Sequence, residues 1–328
     1  QEDAKRLLAY SSIGFLGYAL FGLSFMSHLG WLGAISLSVI HFMFKTMLFL
    51  AIGGVVMRVR TKEMYKMGGL IKKMPFTFIS VLIGIIVISG VPPLTGFGGK
   101  WILYNAIIEK GWFLPSVLVF FAGIVAFLYC FRLIHTIFLG QLKDEHREVK
   151  EAPFWILVPQ YIILMVVMIF SALPNSLLKP IGQMLTPIFP EGALEWSGQL
   201  ATNAYGYWNG QIIFFIVVGI FAAVFIWLWF MNRNAQKVKQ FNIGYAGERP
   251  SLPETTHFAY NFFAPYQKAL GFLVAPVITN FWESVAEGYN AVAEKIRQLY
   301  NGNAQTYAFH IVAYIVVIYL ITFYEDME

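Results

Sequence analysis

The segment Gly90-Val91-Pro92-Pro93-Leu94-Thr95-Gly96-Phe97-Gly98-Gly99-Lys100 interrupts a long apolar stretch over residues 76–109. It contains two prolines and four glycines, which cannot continue a regular helix. Non-helical backbone is tolerated at membrane depth only where it is buried in protein or lines a wet cavity. A broken helix that carries an ionisable residue such as Lys100 therefore indicates an ion path. The residues that form the break are Gly90, Pro92, Pro93 and Gly96.

The composition places the chain among membrane proteins. Hydrophobic residues make up 58% of the chain and charged residues 12%, whereas about 25% of residues are charged in soluble domains. The net charge of +5 comes from basic residues in the connections between apolar segments, so it does not indicate nucleic-acid binding. The single cysteine, Cys130, cannot alone hold an iron–sulfur cluster, a structural zinc ion or an internal disulfide. We therefore expect no cofactor and no metal in this chain, and any redox centre in another subunit.

Seven segments are apolar enough to cross a bilayer, which takes about 20 residues. They are residues 8–26, 31–57, 76–109 (the broken one), 112–138, 154–173, 211–231 and 306–323. The fold class predicted is thus all-α, with about seven transmembrane helices. Lysine and arginine are concentrated in every second connection, over 58–73, 143–150 and 233–239, whereas 27–30 and 174–207 read as loops with little positive charge. The positive-inside rule then predicts Gln1 on the inner side and Glu328 on the outer side.

A polar segment and an amphipathic helix precede the last span. Residues 241–265 contain glycines and prolines among polar residues, which predicts a linker. Beyond it, apolar residues recur three and four positions apart, which predicts a short lateral helix on the inner membrane surface. These residues are Trp282, Val285, Tyr289, Val292, Ile296 and Leu299. Two interpretations stay open: a surface helix that connects two spans, or a lateral brace against a neighbouring subunit.

Ionisable residues inside the spans are the candidate site residues. Placing a charged side chain at the centre of a membrane helix costs about 2.5–3.5 kcal/mol of insertion free energy. Each ionisable residue inside a span therefore needs a structural or functional explanation. Lys45 lies midway along its span, and His41 lies one turn earlier on the same face. An imidazole beside an ammonium group can pass a proton along a water chain. The alternatives are that His41 is a satisfied core histidine and that Lys100 extends to the outer interface.

Three further residues are weaker candidates. Arg132 and His135 lie in the span 112–138, and Lys5 precedes the first span. The alternative for Arg132 is that its side chain extends to the inner interface, and the alternative for His135 is an interfacial position.

Four motifs in order carry a resemblance to a known family. They are Lys5-Arg6-Leu7-Leu8-Ala9-Tyr10-Ser11-Ser12-Ile13 followed by Gly17-Tyr18, then His41-Phe42-Met43-Phe44-Lys45 before Leu48-Phe49-Leu50, then Met67-Gly68-Gly69-Leu70, and finally the broken helix ahead of Lys100. Together they resemble the antiporter-like membrane subunits of respiratory complex I, of the related membrane-bound hydrogenases and of the Mrp-type sodium/proton antiporters. The resemblance is close over about residues 5–140 and looser beyond.

The resemblance implies an organisation and roles. Family members carry two inverted repeats of five helices, so residues 1–140 would hold most of the second repeat. Residues 141–233 would add transmembrane helices, 234–304 the linker and lateral helix, and 305–328 the final span. Because the first repeat is not in this sequence, we expect residues before Gln1 in the full-length protein. Lys45 would be the central relay lysine, His41 its linking histidine and Lys100 the terminal lysine near the outward half-channel.

The function implied is proton or sodium translocation by an antiporter-like subunit of a redox-driven complex, either a membrane-bound hydrogenase or a complex I relative. The implied partners are other membrane-arm subunits, a peripheral iron–sulfur redox module and the lipid of a bacterial or archaeal cytoplasmic membrane. The chain itself would do no bond chemistry. Two alternatives stay open: a stand-alone Mrp-type cation/proton antiporter subunit, and a scaffold subunit with a vestigial channel.

Overall fold

The computed structural model describes residues 1–140, 142–231, 257, 259, 261–262, 264–271, 276–299 and 302–325. The chain divides into two compact units, Gln1–Tyr260 and Asn261–Glu328. The linker predicted over 241–265 falls almost entirely outside the described residues. The segment borders after residues 140, 233 and 304 also stay predictions.

Helices carry the fold of both units. The first unit contains α1 (Ala4–Ser24), α2 (His28–Val59), α3 (Pro75–Ser89), α4 (Thr95–Lys110), α5 (Phe113–Leu133), α6 (Phe154–Ala172), α7 (Asn175–Leu185) and α8 (Gly210–Met231). A π-helical turn, Ile134–Phe138, continues α5. The second unit contains α9 (Ala264–Leu270), α10 (Pro276–Leu299) and α11 (Ala304–Glu325).

The predicted membrane architecture is confirmed. Among the described residues, six helices are long and apolar enough to cross a membrane: α1, α2, α5 with its π-helical turn, α6, α8 and α11. The shorter apolar helix α3 and the following helix α4 form the broken segment. The prediction of about seven spans with one broken therefore holds.

The break itself is built by two glycines. Helix α3 ends where Gly90 adopts a φ of +66°, a conformation that favours glycine. Helix α4 starts against the last turn of α3, so closely that a Cβ on Gly96 would lie 1.9 Å from the carbonyl oxygen of Val87. The two half-helices therefore cross in direct backbone contact.

Helix α2 is the centre of the first unit. It packs against α1, α3, α4, α6 and α7. Many of its side chains are buried by these contacts, whereas Phe42 and Phe49, seven residues apart, are 73% and 38% exposed. The fully buried ones include Leu37, Ile40, Phe44, Met47, Leu48 and Ile52. The site residues on α2 consequently sit inside the helix bundle.

The start of the chain and two basic connections lie together at one end of the first unit. We call residues 1–3, 60–74, 139–140 and 142–153 the basic end. The backbones of Asp3 and Glu63 pair in an isolated antiparallel β-bridge. The Gly69 N–H donates a hydrogen bond to the Leu139 carbonyl. The α3 start lies here too, because Glu151 accepts hydrogen bonds from the Phe76 N–H at 2.8 Å and from the Thr77 hydroxyl at 2.6 Å. A carboxylate is favourable at a helix N-terminus.

The connection 174–207, predicted as a loop, is structured instead. It contains the short helix α7 and a three-stranded antiparallel sheet in the order β1 (Glu195–Ser197), β2 (Leu200–Asn203) and β3 (Gly206–Asn209). Trp208 of β3 is buried, with ring centroids 6.2 Å from Phe97 and 5.7 Å from Trp101 of α4. Strands this short show too little alternation to be detected from sequence. Packing on α4 orders them.

The predicted lateral helix is present in the second unit as α10, which begins at Pro276, six residues before Trp282. Its apolar residues share one face, and four of them are 53–75% exposed: Trp282, Tyr289, Val292 and Ile296.

Candidate ion-translocation site

Lys45 lies inside the bundle and reaches across to α1. Its side chain is 5% exposed. The Nζ donates a hydrogen bond to the Leu8 carbonyl at 2.7 Å and another to the Ser11 hydroxyl. No carboxylate within the described part of the chain is at ion-pair distance from this ammonium group. Lys45 is therefore a buried cation held by neutral oxygen atoms.

His41 lies one turn before Lys45 and is packed between aromatic rings. It stacks on Phe15 with centroids 5.3 Å apart and planes 16° apart, and it meets Phe44 edge-on at 5.3 Å. Its Nε2 is buried and has no hydrogen-bond partner among the described residues. Buried polar atoms are normally paired, often with ordered water. The core-histidine alternative thus accounts for the ring contacts but leaves Nε2 unsatisfied.

Lys100 lies at the start of α4, directly behind the break, and is 2% exposed. Its Nζ donates to the Ser89 carbonyl at 2.9 Å, in the last turn of α3, where helical carbonyls lack partners. The Nζ also lies 5.3 Å from the centre of the Tyr18 ring. A Cβ on Gly90 would come within 2.4 Å of the Lys100 Cδ. The side chain is enclosed by α1, α3 and the break rather than extended to the surface.

The three weaker candidates lie elsewhere. Arg132 is buried, donates through Nη2 to the Tyr65 hydroxyl of the basic end at 2.9 Å and lies 5.4 Å from that ring's centre. His135 is buried in the π-helical turn. Lys5 is half-buried in the first turn of α1.

One face of α1 links the main candidates, and sequence reasoning missed it. Ser11 contacts Lys45, Phe15 stacks on His41, and the Tyr18 ring lies beside Lys100. These α1 residues are spaced by four and three, which places them on one helix face. Ser11 and Tyr18 belong to the first sequence motif. The helical spacing of Ser11, Phe15 and Tyr18 could therefore have indicated a shared face of α1.

Part of this chain is similar to known membrane proteins. Residues 1–126 match the family described as NADH:quinone oxidoreductase/Mrp antiporter, transmembrane. One relative is a Na(+)/H(+) antiporter subunit from Alkalihalophilus pseudofirmus, which is 29% identical over 72% of this chain and 32% of its own length. Hydrogenase-4 component B of Escherichia coli is 26% identical over 97% of this chain and 55% of its own length.

A solved structure has the same fold over almost the whole chain. It belongs to the membrane-bound sulfane sulfur reductase, an archaeal respiratory membrane complex, with a TM-score of 0.74 and 27% identity. The match covers 98% of this chain and 52% of that one. This chain therefore spans between about a third and about half of the length of these relatives. Residues 1–126, which hold Lys45, His41 and Lys100, are thus the part of this chain that matches the NADH:quinone oxidoreductase/Mrp antiporter family of membrane proteins.

Proposed function

We propose that this chain is the proton- or sodium-translocating, antiporter-like subunit of a redox-driven membrane complex of the hydrogenase or complex I type. The observation that carries the proposal is the pair of buried ammonium groups, Lys45 and Lys100, held by neutral oxygen atoms. An unpaired buried charge is expensive, so a stable core would replace such residues with apolar ones. Their presence is explained if they hold and release a proton.

The chain's own residues suggest an order of transfer. Lys45 holds the proton at Nζ, where the Leu8 carbonyl and the Ser11 hydroxyl orient the ammonium group. His41, on the same face of α2, passes the proton on through its unsatisfied Nε2 and water. Lys100, behind the break, receives it and releases it on the side away from the basic end. A change of charge in a neighbouring subunit would shift the balance between the two lysines.

The proposed partners are other membrane-arm subunits and a peripheral iron–sulfur redox module, in a bacterial or archaeal cytoplasmic membrane. The match to hydrogenase-4 component B and the match to a chain of an archaeal respiratory complex support this assignment. Helix α8 supports it physically, because only Gly210 and Phe214 of its residues are buried in the chain. Its apolar surface needs to be surrounded by lipid or by a neighbouring protein.

A second candidate function is cation/proton exchange without redox coupling. The similarity to a Na(+)/H(+) antiporter subunit favours it. Vesicles that contain the purified complex separate the two. Transport that requires an electron donor supports the redox pump, and exchange that persists without any donor supports the antiporter.

Substitution of Lys100 tests the site itself. Lys100→Ala removes the proton carrier without leaving a new unpaired charge, so we expect assembly to continue and ion transport to fall sharply. Lys100→Arg should also fail, because arginine keeps its proton. The control is Lys110→Ala, an exposed lysine at the end of the same helix. Normal transport by Lys100→Ala in reconstituted vesicles would contradict the proposal.

A further inference from the structure

A glycine in the middle of α5 faces the Lys100 ammonium group. A Cβ on Gly123 would lie 3.7 Å from the Tyr18 hydroxyl, 3.8 Å from the Tyr104 hydroxyl and 4.0 Å from the Lys100 Nζ. Three polar atoms from α1 and α4 thus converge on one point of α5. A larger side chain at residue 123 would occupy the space between them.

The three polar atoms have unused hydrogen-bonding capacity. The Lys100 ammonium group can donate three hydrogen bonds, and its one acceptor among the described residues is the Ser89 carbonyl. The Tyr18 hydroxyl donates to the Val119 carbonyl at 3.2 Å, which leaves its oxygen able to accept. The Tyr104 ring stacks on Phe120 at 4.4 Å, and none of the hydrogen bonds within the described residues uses its hydroxyl. These groups can therefore form further hydrogen bonds, for example with water.

Tyr18 separates this point from an apolar groove. The groove has a volume of about 300 Å³ and lies between α1 and α5. Gly14, Gly17, Val119 and Ala122 line it together with Tyr18. The Tyr18 side chain therefore borders both the groove and the Lys100 ammonium group.

We propose that Gly123 is a positioning residue that keeps open a polar chamber, bounded by the Lys100 Nζ and the hydroxyls of Tyr18 and Tyr104, through which Lys100 exchanges its proton. This inference rests on the proposed function. In the transfer an N–H bond of the Lys100 ammonium breaks and an O–H bond forms on the Tyr104 hydroxyl. In the same step the original O–H bond of that hydroxyl breaks and its proton passes to a water molecule, so that the neutral amine and the neutral phenol remain. One proton moves and no oxidant or reductant is needed.

The first test fills the chamber in the full complex, reconstituted in vesicles. Gly123→Leu should lower transport by about 100-fold, the loss that a misplacement of about 1 Å can cause. Gly123→Ala should give a smaller loss, because its Cβ meets the three polar atoms only at ordinary contact distances. The matched control is Gly219→Leu on α8, where no atom lies within 4 Å of the added Cβ. Normal transport by an assembled Gly123→Leu complex would overturn the proposal.

A second test does not depend on added bulk. Tyr104→Phe keeps the ring that stacks on Phe120 and removes only the hydroxyl, so transport should fall while the protein stays in the complex. If the Gly123→Leu protein does not assemble into the complex, the Tyr104→Phe variant tests the proposal instead. Normal transport by Tyr104→Phe would then overturn it.

A third readout separates the chamber from a structural role for Gly123. Lys100→Cys should react with a small water-soluble maleimide above the background set by the buried Cys130 in the parent chain. Adding Gly123→Leu should suppress this labelling, whereas adding Gly219→Leu should not.

The transport results also show which proposal has failed. If Lys100→Ala abolishes transport while Gly123→Leu and Tyr104→Phe transport normally, the chamber proposal is wrong and the proposed function stands. If Lys100→Ala transports normally, the proposed function fails first.

Discussion

At the scale of single residues, the two lysines are held in different ways. Lys45 bonds to a neighbouring helix in mid-course, through the Leu8 carbonyl and the Ser11 hydroxyl. Lys100 bonds to the Ser89 carbonyl, which the end of α3 leaves available. Helix C-terminal carbonyls favour a cation by about 0.3–1 kcal/mol at exposed sites, and by more when partly buried. The break in the third span thus supplies a partner for Lys100.

The first prediction concerns the pair His41 and Lys45. If both act in one path, the double variant His41→Ala/Lys45→Ala should transport little worse than Lys45→Ala alone, because the path is already broken. Transport rates in vesicles measure this. Lys110→Ala combined with His41→Ala is the comparison for independent residues. Losses that simply add would mean that His41 serves only to pack against Phe15 and Phe44.

The second prediction concerns Gly96, where α4 crosses α3. An added Cβ would lie 1.9 Å from the Val87 carbonyl oxygen and 2.9 Å from its carbon, both backbone atoms that cannot move alone. Gly96→Ala should therefore lower the free energy of unfolding by about 1–3 kcal/mol, the usual cost of overpacking. Thermal unfolding in detergent measures the change. Gly219→Ala, with open space around the Cβ, should leave it unaltered. Equal stability of the two variants would contradict the close crossing.

At the scale of elements, His257 connects the described residues 257 and 259 to the π-helical turn and to Tyr65 of the basic end. The His257 Nε2 is 3.0 Å from the Thr136 carbonyl, and its Nδ1 accepts from the Ala259 N–H at 2.9 Å. Since Nδ1 accepts, Nε2 must carry the proton and donate, which requires the neutral ring. The ring is 7% exposed and meets Tyr65 edge-on at 5.4 Å.

Burial chiefly lowers the pKa of His257, and the positive charge of Lys143 and the nearby His135 lower it further. Hydrogen bonds to the Thr136 and Met67 carbonyls oppose this by raising the pKa. Because the pKa is below that of an unfolded histidine, about 6.5, the detached segment binds more protons than the attached one. The attachment is therefore complete above about pH 6.5 and weakens as the pH falls through the lowered pKa.

The third prediction follows from that sign. Amide hydrogen exchange at Ala259, corrected for the intrinsic pH dependence of exchange, should show protection at about pH 8 and its loss toward about pH 5. His257→Gln offers a donor and an acceptor without titrating, so its protection should not vary with pH. Protection in the native chain that stays constant over this range would show that His257 does not control the attachment.

At the scale of the whole molecule, some of the described helices carry exposed apolar surface. The stripe on α10 is exposed at Trp282, Tyr289, Val292 and Ile296. A fully buried apolar side chain gains about 1.5 kcal/mol or more. Lipid or a neighbouring subunit would therefore bind this face strongly, and the two interpretations of the lateral helix can be distinguished by experiment.

The fourth prediction tests the brace. Val292→Glu places a charge on the apolar stripe, so the protein should dissociate from the complex in mild detergent while the soluble redox activity remains. Asn290→Glu adds the same charge away from the stripe and serves as the matched control. Co-purification of neighbouring subunits measures attachment. A Val292→Glu complex that stays assembled and transports normally would leave α10 as a surface connection.

The sequence by itself determined the membrane class, the spans and the break. Each of these depends on properties of one continuous segment: the length of an apolar run, the helix-breaking action of Gly90 and the two prolines, and the 3.6-residue period. The same local rule placed His41 and Lys45 on one helix face. The amphipathic stripe of α10 was also predictable, because it depends only on the spacing of apolar residues within that helix.

Only the tertiary structure decided what the charged side chains touch. Leu8 lies 37 positions from Lys45 in sequence, and Tyr65 lies 67 positions from Arg132, so neither contact follows from a local pattern. The three-stranded sheet is ordered by the packing of Trp208 on α4, and the polar atoms around Gly123 of α5 come from two other helices, α1 and α4. The physical reason is that such contacts depend on how separately formed helices pack, which hydropathy and periodicity along one segment do not specify.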